Sequence, residues 1–170
     1  MRDDSRRAAV VGEPRGDAVH EVDRIVDQLE RSYAGDAWHG PSVKEVLKGV
    51  GPATAAARPL ATAHSIWEIV LHMATWKRYV HEALGGAEIK VADDEDWPPV
   101  KDTSAEAWRA ALKKLDDEHA AVTHAARRLS EDRLDKPVTR RGVTAYRLLE
   151  GIVQHDLYHA GQIRMLAKHG

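Results

Sequence analysis

Hydrophobic residues recur at intervals of three and four along four long stretches of this chain, with polar residues on the opposite helical face. Val19, Val22, Val26, Leu29 and Tyr33 form the first apolar face, and Gly35 marks its end. Ser65-Ile66-Trp67-Glu68 has the capping-box pattern, so a second long helix is expected from Ser65 to the Gly85-Gly86 pair. Thr103-Ser104-Ala105-Glu106 starts a third, whose seam is Trp108, Leu112, Leu115, His119, Val122, Ala126 and Leu129. The fourth begins near Thr144 and turns Leu148, Ile152, His155, His159, Ile163 and Leu166 inward. No stretch alternates as a strand does, and there is no internal repeat. The pattern predicts an all-α four-helix bundle.

The connections carry their own signals. Met1 to Gly16 is polar and broken by Gly12, Pro14 and Gly16, which predicts a flexible tail ahead of a single domain over residues 17–170. Ser42-Val43-Lys44-Glu45 is a second capping box and predicts a short extra helix in the first connection, stopping at Gly49-Val50-Gly51-Pro52. Between Ala87 and Asp102 the acidic run Asp93-Asp94-Glu95-Asp96 precedes Trp97-Pro98-Pro99, which reads as a solvated turn within a long loop anchored by Trp97.

Composition narrows the function. The chain has 170 residues, enough for one real core, and 25 basic against 27 acidic side chains give a net charge of −2. The basic pairs are scattered among acids, so nucleic acid is not an expected partner. No stretch approaches the length of a membrane span and the N-terminus lacks a signal-peptide core, so no membrane is expected and a cytoplasmic location is. With no cysteine the chain has neither thiolate ligands nor a thiol nucleophile, and sulfur chemistry requires a small-molecule thiol.

His155 and His159 stand four residues apart on an apolar stripe, where side chains lie one above the other roughly 6 Å apart and both imidazoles can reach one ion. His72, inside the apolar second helix, is the best third ligand. Three protein ligands leave a coordination position free, the mark of a catalytic metal. The neighbours carry two readings each. Gln162 could orient water or substrate, or be a surface amide; Asp156 could support a ligand imidazole, or be a surface carboxylate; Tyr158 flanks the pair. Glu68 and Trp76 bracket His72, the first as a proton acceptor or only a cap, the second as a substrate contact or only core. His119 reads as a hydrogen-bonded core residue and His64 as a cap or loop residue. The acidic run lacks the spacing of a calcium loop, and zinc-protease, P-loop and dinucleotide motifs are absent.

The segments His64-Ser65-Ile66-Trp67-Glu68-Ile69-Val70-Leu71-His72, Trp97-Pro98-Pro99 and His155-Asp156-Leu157-Tyr158-His159-Ala160-Gly161-Gln162 together resemble the DinB/YfiT-like family of metal-dependent enzymes, over almost everything from Val19 to Lys168. The resemblance implies a four-helix bundle, often a homodimer, with His72, His155 and His159 as ligands of one metal ion. Relatives include S-transferases that use a low-molecular-weight thiol, a mycothiol-dependent isomerase and hydrolases. The expected function is therefore thiol-dependent S-transfer to a small-molecule substrate. Metal-dependent hydrolysis is the enzymatic alternative, and a non-catalytic, stress-related metal-binding or dimeric interaction protein the alternative of another class. Imidazole ligands suit zinc or nickel, and also copper or iron; zinc leads on abundance and nickel is the runner-up.

Overall fold

Three of the four long helices begin where a serine or threonine side chain turns back onto the backbone: Ser65, Ser104 and Thr144. In the computed structural model, which describes residues 20–88 and 90–169, the order is α1 (Glu21–Ala34), α2 (Val43–Leu47), α3 (Pro52–Ala56), α4 (Ile66–Leu84), α5 (Asp93–Asp96), α6 (Ala105–Arg127), α7 (Glu131–Leu134) and α8 (Ala145–His169). The expected tail from Met1 to Gly16, and Val19 of the first stripe, lie outside the described residues. At the start of α4 the Ser65 hydroxyl accepts from the Glu68 amide at 3.2 Å while the Glu68 carboxylate accepts from the Ser65 amide at 2.8 Å. Ser42 and Glu45 repeat this at α2, and Ser104 caps α6 through the Ala107 amide. Each such cap is worth about 1 kcal/mol.

The long helices α1, α4, α6 and α8 form the bundle, with α4 packed on α6 and α8, and α1 on the same two. Among the described residues there is no strand, only an isolated bridge between Pro137 and Thr144. Among the described residues no helix is long and apolar enough to cross a membrane.

The connections hold more helix than their sequence suggests. The first contains two short helices, because Pro52 stands in the first turn of α3, where a missing N–H costs nothing. The acidic run is the one-turn helix α5, not an unstructured turn; it packs on α4 and ends at Trp97 before the two prolines.

The core is divided. Tyr33, Met73, Trp108, Leu115 and Ile163 belong to one apolar cluster; Leu29, Val80, Val122, Leu149 and Ile152 belong to another. Between them in sequence, on three helices, lie Lys77, His119 and Asp156, all buried. Lys77 Nζ donates to Asp156 Oδ2 at 2.6 Å and lies 3.3 Å from His119 Nδ1. Tyr33 stacks on His119 with ring centroids 3.8 Å apart, and its hydroxyl donates to Asp116 at 2.6 Å. This polar layer fixes the relative register of α4, α6 and α8, since any slip would bury a charge without its partner.

Candidate metal centre

His72 stands about two turns inside α4, and His155 and His159 one turn apart in α8. Antiparallel packing brings the three rings together. The Nε2 atom of His155 lies 3.0 Å from Nε2 of His72 and 3.1 Å from Nε2 of His159. All three side chains offer a nitrogen within 4.8 Å of the others, and His72 and His159 are only 6% and 3% exposed.

The far sides of two rings are tied. His72 Nδ1 donates to the Asp96 carbonyl oxygen at 2.8 Å and lies 3.1 Å from the Asp96 carboxylate. His159 Nδ1 donates to Gln162 Oε1 at 2.7 Å, while Gln162 Nε2 donates to the Tyr158 hydroxyl at 3.0 Å. With their protons on Nδ1, His72 and His159 each aim an Nε2 lone pair at the same place. His155 Nε2 can donate only one proton, so at least one of its two contacts is left without a proper hydrogen bond, and with the proton on Nδ1 both set lone pair against lone pair. A cation between the rings removes that repulsion. Imidazole nitrogens about 2.0–2.1 Å from one ion stand about 2.9 Å apart at right angles and about 3.3 Å apart tetrahedrally, and the observed separations of 3.0 and 3.1 Å fall within that range. The donor set fits a divalent ion, and three ligands leave room for a further one.

Electrostatics agree. Burial, then the neighbouring His159 and His72, pushes His155 down to about 3. Burial brings His159 down to about 4 despite the bond it donates to Gln162, and lowers His72 as well. The cluster is thus neutral at physiological pH, the state that binds metal.

A DinB superfamily model matches residues 37–163 of the 170, a span that contains all three histidines. The chain belongs to the DinB superfamily. No curated protein and no solved structure matches it. Helix α1 precedes the matched span, yet Leu29 and Tyr33 join this DinB bundle's core.

The other residues singled out from the sequence fall in different places. Gln162 orients His159. Tyr158, 64% exposed, holds Gln162 from the rim. Trp76 donates its indole N–H to Asp96 Oδ1 at 2.7 Å, beside the cluster. Glu68 is taken up by Ser65 and by an ion pair with Arg58, and Asp156 is fully buried against Lys77, so neither carboxylate is free for the cluster. His119 is a hydrogen-bonded core residue, as its seam position predicts. Sequence reasoning missed Asp96, whose carbonyl and carboxylate both meet His72. It also missed the stacking role of Trp97, which lies 3.9 Å from His72 and 3.6 Å from His64 between centroids, nearly parallel to both. The signal that could have found them is an aspartate immediately before Trp-Pro-Pro, a segment stiff enough to hold its neighbours in place. His155 Nδ1 and Asp156 Oδ1 are buried without a hydrogen-bond partner among the described residues, so no hydrogen bond ties the far side of the His155 ring.

The metal-free DinB domain should lose stability as pH falls from about 6.5 towards 4. Burial depresses His119 and His155 to about 3 and His159 to about 4, from 6.5. The unfolded chain therefore takes up protons that the folded chain refuses, and each histidine contributes a slope of about 1.4 kcal/mol per pH unit. Urea unfolding of the chelated protein across this window measures the slope. His119→Gln should reduce it by one histidine's share without touching the cluster.

Proposed function

We propose that His72, His155 and His159 together hold one divalent ion, zinc in first place and nickel next, and that this chain transfers a low-molecular-weight thiol to an electrophilic small molecule. The observation that carries the metal assignment is the convergence of three Nε2 atoms whose opposite nitrogens, on His72 and His159, are tied back by Asp96 and Gln162. A divalent ion held by neutral imidazoles supplies undiminished positive charge, which lowers the pKa of a thiol or water bound to it. Asp96 and Gln162 keep the ligand rings in the binding tautomer. Trp97 covers one face of His72 and keeps water from that side. Tyr158, whose oxygen accepts from Gln162, has its own O–H free to donate to a substrate oxygen at the rim.

Thiol transfer is favoured over hydrolysis by the carboxylates. Water on the ion is harder to ionise than a thiol and gains more from a positioned base, and among the described residues Glu68 and Asp156 are both engaged elsewhere, while Asp96 is held by Trp76 and His72. A thiol, with an ordinary pKa of about 8.5, needs far less help to ionise. The chain has no cysteine, so the sulfur comes from a small molecule.

The zinc-loaded protein, given an activated aryl halide with and without a small thiol, should form thioether only when thiol and metal are both present, and His155→Ala should not. Equal turnover with and without thiol would assign the site to hydrolysis instead. Asp96→Ala should weaken zinc binding roughly tenfold, the low end for a residue that orients a ligand, because the backbone carbonyl at 2.8 Å remains. Competition with a chelating dye measures this.

A further inference from the structure

A cavity of about 220 Å³ opens between α4 and α8, and His155 is part of its lining. Trp76 and Tyr79 wall it from α4; Leu148 and Gly151 wall it from α8. No carboxylate lines it, and Arg147 is its one permanently charged group. Arg147 is exposed and, like several other surface arginines among the described residues, makes no ion pair, so its guanidinium at the cleft is available to an anion.

Gly151 stands four residues before His155 on α8, so the imidazole, tilted towards the helix N-terminus, leans over it. A Cβ added at Gly151 would meet nothing within 4 Å. Neither backbone conformation nor close packing demands glycine there, although glycine weakens a helix interior. Gly151 is exposed and lines the cleft, so the missing side chain leaves the mouth of the cleft open beside the imidazole.

The cavity's size and lining select a class of ligand. An apolar cavity of about 150 Å³ admits benzene, so 220 Å³ accommodates one six-membered ring with a short substituent. Arg147 and His155 are eight residues apart, about 12 Å along the helix. The long Arg147 side chain can reach over part of that distance, so a ring beside Trp76 can present a carboxylate to the guanidinium's paired N–H donors at one end and its other end to His155.

We propose that this cleft seats the substrate, and that the substrate is a single-ring carboxylate, or an apolar carboxylate of that size, with its anionic group on Arg147. The assignment of the reacting end rests on the metal-centre reading above; binding in the cleft does not.

The test is a titration of isotope-labelled protein, metal-free and zinc-loaded, with phenylacetate and with benzyl alcohol as the neutral counterpart, followed by NMR. The Gly151 amide and the Trp76 indole N–H should shift with both compounds in both metal states. Arg147→Gln should weaken phenylacetate roughly tenfold, as expected for loss of a charged hydrogen bond, and leave benzyl alcohol unchanged. Gly151→Leu, which suits a helix, should abolish both while zinc uptake stays intact. Shifts that bypass Gly151 and Trp76, no binding of phenylacetate, or equal phenylacetate affinity in Arg147→Gln and the wild type would overturn the proposal. Failure of the metal reading would appear separately, as absence of zinc uptake in the same samples.

Discussion

Lys77→Met should lower the unfolding free energy by about 3–5 kcal/mol, the range for removing one partner of a buried ion pair. Lys77 and Asp156 are both fully buried, 2.6 Å apart. Burial drives the Asp156 pKa up and the Lys77 ammonium opposes this, so without the lysine the carboxylate must take up a proton or draw water into the bundle. The ammonium also sits 4.9 Å from the Tyr33 ring centroid, a cation–π contact that the variant loses. Replacing both partners, as Lys77→Met with Asp156→Leu, should recover most of the loss, because an apolar pair of similar volume leaves nothing unpaired. Urea unfolding of the chelated proteins separates the two outcomes. A single variant as stable as the wild type would mean that the polar layer does not hold the bundle in register.

His159→Ala should reduce affinity for zinc on the order of a thousandfold. Closed zinc sites bind with roughly 10 to 16 kcal/mol, so one of a few imidazole ligands accounts for about 3 to 5 kcal/mol. Gln162→Ala removes only the bond that fixes the His159 ring and should cost roughly tenfold to a hundredfold. The ordering matters more than either value. If Gln162→Ala costs as much as His159→Ala, Gln162 itself reaches the ion.

Parts of this design are legible in the sequence for a physical reason. Helix periodicity, the Ser65 and Ser42 capping boxes and the His155–His159 pair are local patterns, complete within a few residues. The position of His72 could be weighed because an imidazole inside an apolar helix needs a partner. Lys77 and Asp156 could not be read in the same way. Each alone looks like an outward polar residue, and the partner that makes burial tolerable lies 79 residues away. Asp96 is 24 residues from His72 and sits in an acidic run whose composition suggests solvent. A one-turn helix such as α5 or α3 buries too little to leave a periodic stripe. The cleft beside His155 was equally hidden, because Gly151 in a sequence marks weakened helix and not the space its missing side chain leaves.

Elemental analysis of protein purified without added metal, alongside His72→Ala and His155→Ala, addresses the metal centre most directly. Close to one equivalent of zinc or nickel per chain in the wild type, lost in both variants, is the expected result. A wild-type protein that carries no metal and cannot be loaded, or unchanged metal content in His72→Ala, would contradict the three-histidine centre.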